Sequence, residues 1–430
     1  MARSLPLSFG QQRLWLVDQF RPRSTEYLIR VGWRLVGVLD VGALRGALSA
    51  LVARHEALRT RLVAVDGSPA QVIDDPGELD LELTDLSGAD DARLRVTVAE
   101  VAAAPFDLAA QWPLRARLFR LAAGEHLLVL VFHHAACDGW SLDVLARDLG
   151  ELYRCQLACT PADLPDLPVQ YADFAQWQHA RAAAGELAAD LGYWRGQLAG
   201  LEPLELHTDR PRPRCWNPGG GTVEFRVPPA VTQALANLGR SRGATLYMTV
   251  LTAFLTLLAR YTGRTDLAVG TPVAGRSRRE VKDLIGFFIN TVIIRADLPA
   301  DLPFPQALDQ IRATCLDAYA HQDLPFERIV EELAPHRDLS RNPLFQILFE
   351  WEEVPGNSFS IGPLRATSEK IEWHTSKLDL TLSMIHREHD ELYGVITYAS
   401  ALFDHATAER MAGHFKTLLK NIADSPGTRR

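Results

Sequence analysis

The sequence predicts an α/β fold with mixed β-sheets, arranged as two lobes. Short apolar runs typical of buried strands alternate with amphipathic helical stretches along the 430 residues. The second half repeats this order of elements without repeating the amino-acid sequence. A stretch rich in Pro and Asp between Thr160 and Val169 interrupts the alternation and predicts an exposed connection. The chain is long enough for two or three domains, and we place two lobes at residues 1–165 and 166–430.

The first predicted lobe begins with a helix that Ser8 can cap. A strand follows within 27–38, and Asp40 opens a long amphipathic helix that leads to His55, which we interpret as structural. The next predicted elements are strands at 62–65 and 71–73, a helix at 92–104 and a strand at 114–121.

The functional prediction depends on the stretch that comes next, where a buried strand is joined to a helix by a short loop. The run 126–132 is apolar and rich in Val and Leu, as buried strands are. His133 and His134 follow it, and after the loop an amphipathic helix is predicted from Ser141, as its N-cap, to about residue 157. An open loop on a rigid scaffold is a common place for chemistry.

The side chains of this stretch suggest proton transfer, although two hydrogen-bonded structural histidines at a strand end explain the bare pattern equally well. Because strand side chains alternate between faces, we expect only one of His133 and His134 to reach a given cavity. A histidine with an ordinary pKa near ~6.5 can accept or donate a proton at working pH. Asp138 needs a partner if it is buried and charged, and we expect a nearby arginine. Gly139 predicts a positive φ or a close approach to the backbone.

Composition and charge argue against several other classes of function. Adjacent histidines on a strand diverge and none of the five cysteines forms a CxxC pair, so no metal site is predicted. The odd number and the scatter of the cysteines indicate free thiols in a reducing cytoplasm. A net charge of −8 without a large basic block disfavours nucleic-acid binding. No apolar run reaches membrane-spanning length and no secretory signal is evident, so we predict no membrane association.

The second half shows the same interleaving. Helices are predicted from residue 171 and at 187–198, and the segment 207–221 is too rich in Pro and Gly for regular structure. The remaining predicted elements are a strand at 223–227, helices at 231–240 and 246–261, strands at 267–271 and 292–295, a helix at 304–320, strands at 344–351, 378–385 and 392–398, and a helix at 404–422.

Seven motifs follow one another along the chain. His133, His134, Asp138 and Gly139 match the motif HHxxxDG. The others are SFGQQRLW (8–15), RHEALRT (54–60), YADFAQW (171–177), IGFFINTVIIR (285–295), HQDLPFE (321–327) and RDLSRNPLFQ (337–346). In these motifs the chain resembles the condensation domain of nonribosomal peptide synthetases over essentially its whole length. The amino acids of these motifs are closest to those of the subtype that joins an L-configured donor to an L-configured acceptor.

The resemblance implies a fold and a reaction. The fold is a V-shaped pseudo-dimer of two chloramphenicol-acetyltransferase-like lobes, with the active site midway along a tunnel between them. An upstream donor carrier protein and a downstream acceptor carrier protein each present a building block on a 4′-phosphopantetheine arm. The acceptor amine attacks the donor thioester and a peptide bond forms. The chain itself is expected to bind no cofactor, to be a cytoplasmic monomer, and to be one domain of an assembly line with an adjacent adenylation domain.

The resemblance also implies roles for the histidine motif. His134 is its catalytic histidine, either as general base toward the attacking ammonium or by orienting the amine, and His133 precedes it in the motif. Asp138 is expected to form a structural ion pair with Arg276. The backbone N–H of Gly139 is a candidate donor to the developing oxyanion.

Four residues are expected to line the substrate tunnel: Gly10, Ala135, Asn290 and Trp140. Gly10 stands where alanine is frequent in the family, and Ala135 where a larger aliphatic residue is usual. We interpret both as enlarging a substrate path. For Asn290, a role as a turn residue is an equally good interpretation.

Three alternative functions share the fold or its motif. An epimerization domain would racemise a tethered residue, but the sequences IGFFINT and HQDLPFE are typical of condensation domains. A noncatalytic recruitment domain usually has a damaged histidine motif, and here the motif is intact. A generic acyl-CoA transferase of the wider fold family would act on free acyl-CoA without a carrier protein.

Overall fold

The structure has the α/β class that the sequence predicts. It is a computed structural model that describes residues 4–334, 338, 340–354, 358–372, 374–387 and 391–425. The strands are β1 (Ser4–Pro6), β2 (Leu28–Val36), β3 (Thr60–Val65), β4 (Ser68–Ile73), β5 (Leu81–Asp85), β6 (Leu114–Ala122), β7 (Glu125–His133), β8 (Gly220–Val227), β9 (Asp266–Val273), β10 (Asn290–Asp297), β11 (Ile347–Val354), β12 (Ser358–Ile361), β13 (Leu364–Glu369), β14 (Leu380–Arg387) and β15 (Glu391–Ala399). The helices are α1 (Phe9–Phe20), α2 (Val41–Arg54), α3 (Asp91–Ala103), α4 (Gly139–Ala158), α5 (Tyr171–Ala183), α6 (Ala188–Gln197), α7 (Pro229–Ser241), α8 (Leu246–Thr262), α9 (Phe304–Ala320), α10 (Phe326–Leu333) and α11 (His405–Asp424).

The described strands form three sheets. A small antiparallel sheet has the order β1-β4-β3, and two six-stranded sheets have the orders β12-β13-β2-β7-β6-β5 and β10-β9-β11-β14-β15-β8. In the first large sheet β5 runs parallel to β6 among antiparallel neighbours. In the second, β11 runs parallel to both β9 and β14. The prediction of mixed sheets is therefore confirmed.

The described residues form two compact units, neither of which is continuous in sequence. The first unit lies within residues 1–186, 274–289 and 357–373, and the second within 187–273, 290–356 and 374–430. The first unit therefore includes two segments from the second half of the chain. The lobe boundary predicted at 165/166 is a different division, and it stays a prediction.

Strand β7 lies inside the large sheet of the first unit and is buried on both faces. Leu128 and Leu130 belong to an apolar core that includes buried residues of α2 and α4. Leu127 and Val129 point to the other face, into a core that includes residues of α3 and α5. A strand covered on both faces needs apolar residues at successive positions, which explains the uninterrupted run 126–132. The predicted strand is confirmed.

Helix α8 has the corresponding central place in the second unit. Its residues Met248–Leu258 are all buried, as expected of a helix that is apolar on all sides. Two buried threonines return their hydroxyls to helix carbonyls, Thr252 to Met248 and Thr256 to Thr252, each at 2.7 Å. No described helix is alone long and apolar enough to cross a membrane, although α7 and α8, bent by 103°, meet the length and composition test together.

The sequence analysis missed several short elements, namely β1, β5, β12, β13 and α10. Strand β13 pairs with β2, which lies near the other end of the sequence. A short edge strand that is ordered by so distant a partner has little local periodicity of its own. Residues 337 and 339 of the motif RDLSRNPLFQ lie outside the described residues.

Candidate active site

The two motif histidines follow each other at the end of β7 but have different surroundings. His133 is the last residue of the strand, is buried, and its Nδ1 accepts the backbone N–H of Ala135 at 3.2 Å. His134 already belongs to a 3₁₀ turn, His134–Ala136. The expectation that strand alternation separates the two rings therefore does not apply, because the second histidine lies beyond the strand.

His134 is held at its backbone and at one ring nitrogen. Its N–H donates to the carbonyl of Tyr27 at 2.8 Å, and its Nδ1 lies 2.9 Å from the carbonyl oxygen of Cys137. A carbonyl only accepts, so Nδ1 carries the hydrogen and Nε2 of the neutral ring carries the lone pair. The ring is half-buried and meets Phe287 edge to face, with centroids 5.0 Å apart. A neutral His134 can therefore accept a proton at Nε2.

Asp138, not Ser141, caps helix α4. The helix begins at Gly139, and Asp138 Oδ1 accepts the backbone N–H of Ser141 at 2.9 Å. The predicted cap at Ser141 is therefore wrong. Both residue types are good N-caps, and a carboxylate at this position also interacts favourably with the helix dipole. The hydroxyl of Ser141 lies 2.6 Å from the same Oδ1 and 3.0 Å from the Gly286 carbonyl.

Asp138 and Arg276 form a buried ion pair with N–O distance 3.0 Å. Oδ2 of Asp138 accepts the backbone N–H of Phe288 at 3.0 Å. Arg276 also donates to the carbonyls of Val281 and Leu284, each at 2.7 Å, and its guanidinium lies 4.1 Å from the centroid of the Phe288 ring. These bonds compensate for burial of both charges and attach the segment 274–289 to the loop after β7.

The sequence suggested a positive φ or a close approach to the backbone at Gly139, and the structure shows neither. Gly139 is not among the described residues with positive φ, so that expectation is wrong. A Cβ built there would meet no described atom within 4 Å. Gly139 is exposed and is the first residue of α4, where backbone N–H groups have no partner within a helix. The space on the Cβ side of Gly139 is open.

The other predicted tunnel residues of the first unit are divided between surface and core. Trp140 is 45% exposed, and its indole N–H donates to the carbonyl of Lys282 at 3.0 Å. Ala135 is buried in the apolar core, and its carbonyl accepts the side-chain amide of Gln11 at 3.1 Å. A Cβ at Gly10 would lie 2.7 Å from Cε1 of Phe287. The volume that glycine frees there is filled by this ring, and the interpretation that Gly10 enlarges a substrate path stays a prediction.

Asn290 begins β10 in the second unit. Its amide nitrogen donates to the carbonyls of Gln322 and Leu324, each at 2.7 Å, and its amide oxygen accepts the N–H of Phe326 at 3.0 Å. Both amide hydrogens thus hold the segment 321–327. Of the two interpretations of Asn290, these bonds favour the structural one.

Sequence reasoning missed a buried polar cluster that also fixes the segment 274–289. Nε2 of His55 lies 2.9 Å from Asp148, and its Nδ1 accepts the N–H of Ile285 at 3.3 Å. Burial lowers the pKa of His55. Burial alone would raise the pKa of Asp148, but hydrogen bonds from His55 and Arg147 hold it below its ordinary value. The available signal in the sequence was Asp148, a charged residue next to Leu149 on the buried side of α4.

The described residues contain no group of three or more His, Cys, Asp or Glu that could hold a metal ion. The five cysteines are all free thiols, and Cys137, Cys155 and Cys315 are buried. Burial raises the pKa of Cys137 well above its ordinary value, so the thiol in the loop after His134 stays protonated.

Comparison with known proteins gives consistent matches over the whole chain. The family described as Condensation domain matches residues 1–429. A linear gramicidin synthase of Brevibacillus parabrevis is 45% identical over 437 residues, which cover 99% of this chain and 8% of that synthase polypeptide. The chain thus spans less than a tenth of that relative.

Among solved structures, the X-domain from teicoplanin biosynthesis superposes with a TM-score of 0.92 at 32% identity, covering 100% of this chain and 97% of that one. A complex of the X-domain and OxyB from the same biosynthesis gives a TM-score of 0.89 at 32% identity, covering 100% of this chain and 95% of that one.

Proposed function

The chain belongs to the condensation-domain family of nonribosomal peptide synthetases, and from that premise we propose that it forms an amide bond between two carrier-bound building blocks. The donor is an aminoacyl or peptidyl thioester on an upstream carrier protein, and the acceptor is the amine of an aminoacyl thioester on a downstream carrier. The amine nitrogen forms a bond to the thioester carbon, and the carbon–sulfur bond breaks. The proton lost by the amine ends on the departing phosphopantetheine thiolate. The chain supplies no cofactor for this step.

The observation that carries the proposal is the state of His134. Its Nδ1 is bound to the Cys137 carbonyl, so a neutral ring has its lone pair at Nε2 on a half-buried side chain. This nitrogen can take a proton from the attacking ammonium or accept a hydrogen bond that orients the amine. His133, by contrast, is buried with its Nδ1 on the Ala135 N–H, which supports a structural role.

The surrounding residues have supporting roles in this proposal. Asp138 and Arg276 hold the loop that carries His134 and do not touch substrate. The N–H of Gly139, at the positive end of α4, is the candidate donor to the oxyanion that develops on the thioester carbonyl. Ala135, in the turn that begins with His134, and Trp140, the second residue of α4, are the tunnel-lining candidates nearest in sequence.

A condensation assay tests the proposal directly. Donor and acceptor carriers, chemically loaded with a panel of L-amino acids, are mixed with the protein and dipeptidyl products are measured by mass spectrometry. His134→Ala is expected to lower turnover by about 10²–10⁴-fold while the melting temperature stays unchanged. The matched control is His207→Ala, at an exposed histidine of the second unit, which should retain full turnover. Undiminished turnover in His134→Ala would remove this residue from the mechanism.

A second substitution separates the two roles of His134. His134→Gln offers an amide oxygen near the position of Nε2 but cannot take a proton at neutral pH. If orientation dominates, His134→Gln should be clearly more active than His134→Ala. If proton transfer dominates, the two variants should be equally impaired.

A recruitment domain is the second candidate function. It is favoured by the match to the teicoplanin X-domain, for which a complex with OxyB has been solved. The intact histidine motif speaks against it. Loaded carriers separate the candidates, because a recruitment domain would bind a partner enzyme and form no dipeptide. Exchange of the α-proton on a loaded upstream carrier, without dipeptide, would instead indicate epimerization, and activity on free acyl-CoA would indicate the wider transferase family.

The proposed partners are the two carrier proteins and an adjacent adenylation domain, in the cytoplasm. The L-donor, L-acceptor subtype is inferred from the amino-acid sequences of the motifs alone. The same assay tests it, because donors loaded with D-amino acids should give little product.

A further inference from the structure

Helix α1 begins beside the candidate catalytic loop, and three residues at its start contact the loop or residues packed around it. The side-chain amide of Gln11 donates to the carbonyl of Ala135, directly after His134. Ser8, the N-cap of α1, hydrogen-bonds Tyr171, and Gly10 lies against the ring of Phe287. All of these residues belong to the first unit.

The contact between Gly10 and Phe287 depends on the absence of a side chain. A Cβ at Gly10 would stand 2.7 Å from Cε1 and 3.1 Å from Cδ1 of Phe287. Real Cβ atoms do not approach carbon so closely, and Phe287 is buried, so its ring could move only by displacing neighbours. The missing side chain at Gly10 therefore leaves the room that the ring of Phe287 occupies.

The backbone of Phe287 is fixed independently of its ring. The hydroxyl of Tyr171 donates to the Phe287 carbonyl at 2.7 Å. Because Tyr171 has a single hydroxyl hydrogen, the 2.7 Å bond between Ser8 and Tyr171 has Ser8 as its donor. The relay runs from the cap of α1 through Tyr171 to Phe287, and all three residues are buried.

The ring of Phe287 in turn meets the imidazole of His134, with centroids 5.0 Å apart and planes at 68°. Edge-to-face contact at this distance is favourable and directional. The hydrogen bond from Nδ1 to Cys137 fixes one edge of the imidazole, and the aromatic contact restrains its tilt. Together they determine where Nε2 points.

We propose that Phe287 is a positioning residue for His134: its ring occupies the space that Gly10 leaves, its carbonyl is held by Tyr171, and it sets the orientation of the imidazole. The inference rests on the proposed function, because it concerns the histidine that performs it. It gives Gly10 a role opposite to widening a substrate path. The contact between Gly10 and Phe287 determines how accurately the catalytic nitrogen is oriented. Phe287 itself touches no reacting atom.

A double-mutant cycle tests the proposal in the condensation assay. Gly10→Ala should lower kcat by about 10-fold or more with KM for both carriers changed by less than about twofold, because misplacement of a catalytic group affects the chemical step. Phe287→Leu removes Cε1, Cε2 and Cζ and should also lower kcat. In the Phe287→Leu background, adding Gly10→Ala should cost less than about twofold. The matched control is Gly413→Ala in α11, where a Cβ meets no described atom within 4 Å and kcat should be unchanged.

A second readout does not depend on turnover. In protein labelled at histidine, NMR signals of the His134 ring, assigned by their loss in His134→Ala, should move in Phe287→Leu and in Gly10→Ala but not in Gly413→Ala. Tyr171→Phe, which removes one hydroxyl without changing the ring, should move them as well and lower kcat. Equal losses of kcat from Gly10→Ala in both backgrounds, or unmoved His134 signals, would overturn the proposal. If the unmodified protein forms no amide, the proposed function fails, and the NMR signals still decide whether Phe287 orients His134.

Discussion

Asp138 shows how a charged side chain can be buried beside the candidate catalytic histidine. Its carboxylate accepts from the N–H and the hydroxyl of Ser141, from Arg276 and from the N–H of Phe288. These donors satisfy the carboxylate within the fold, which supports a structural role for Asp138. The hydroxyl of Ser141 is bound within the same cluster, which argues against a nucleophilic role.

Removing one charge of this pair should destabilise the protein strongly. Asp138→Asn leaves Arg276 buried without a counter-charge, and a loss of about 3–5 kcal/mol in the free energy of unfolding is expected. Urea unfolding followed by fluorescence measures it. In the double variant Asp138→Asn/Arg276→Met, the two losses should not add.

An exposed ion pair provides the control for this prediction. Arg328 and Glu331 lie one turn apart on α10 with both side chains well exposed, so Glu331→Gln should cost less than about 1 kcal/mol. The structural role assigned to the buried pair is wrong if Asp138→Asn costs no more than Glu331→Gln.

His55 links stability to pH because the fold prefers its neutral form. Its Nδ1 must accept the N–H of Ile285, which a protonated ring cannot do, and burial also lowers its pKa below the ordinary value of 6.5. The unfolded chain binds a proton near pH ~6.5, whereas the folded chain does so only at lower pH. The stability associated with neutral His55 is therefore complete above that pH and is lost as pH falls below it.

The melting temperature should accordingly drop between pH 7 and pH 5, and less steeply in His55→Gln, which has no titratable group. Asp148 does not produce this drop, because its pKa is lowered from 3.8 and it stays ionised throughout this range. His207→Gln, at an exposed histidine, should leave the slope unchanged. The same slope in His55→Gln as in the unmodified protein would contradict the assignment.

At the scale of elements, the segment 274–289 is the part of the second half that completes the candidate site. Three consecutive residues near its end make different contacts. Gly286 donates its N–H to the hydroxyl oxygen of Ser141, Phe287 touches His134, and Phe288 bonds Asp138. The motif IGFFINT therefore reflects a set of backbone and ring contacts around one loop.

Gly286 should be intolerant of any side chain. A Cβ there would lie 2.3 Å from Cδ2 of Tyr171 and 2.7 Å from Cε2 of Phe288, both buried rings. Gly286→Ala is expected to lower the melting temperature and to reduce turnover, because it displaces the segment that holds Asp138. Gly413→Ala should instead stabilise its helix by about 1 kcal/mol, since alanine is the better helix former. A melting temperature unchanged in Gly286→Ala would show that the segment can move without cost.

At the scale of the whole molecule, each compact unit is assembled from separate stretches of chain. In the first unit, β13 extends the sheet beyond β2 and Arg276 neutralises Asp138. Neither contribution comes from the first 186 residues. The first unit is therefore not an independent N-terminal domain in sequence.

A fragment ending at Glu186 should consequently fail to fold. It would leave Asp138 buried or exposed without Arg276 and would remove the strand that covers β2. NMR spectra of the fragment should show the poor dispersion of an unfolded or molten chain, while the full chain gives a dispersed spectrum. Cooperative unfolding of the fragment alone would contradict this view.

Several individual residues mark the limit of what sequence patterns could predict. The strand 126–132, the amphipathic helix that follows the loop and the fold class follow from local periodicity, and the structure confirms them. The cap at Ser141 was misplaced because Asp and Ser are both good caps, and only tertiary bonds select between them. The contact of Gly10 with Phe287 could not be predicted, because the ring that fills the space beside Gly10 comes from far along the chain.

By itself, the sequence determined the alternation of strands and helices, the family and the identity of the motif histidines, because periodicity and motif spacing are local properties. Only the tertiary structure decided which nitrogen of His134 carries the lone pair, whether Arg276 lies beside Asp138 as the resemblance implied, and which ring restrains the imidazole. The last two depend on contacts between residues more than a hundred positions apart, and the first on how the loop after β7 folds back on its own carbonyl. Such contacts are set by packing of the folded chain, and no local pattern encodes them.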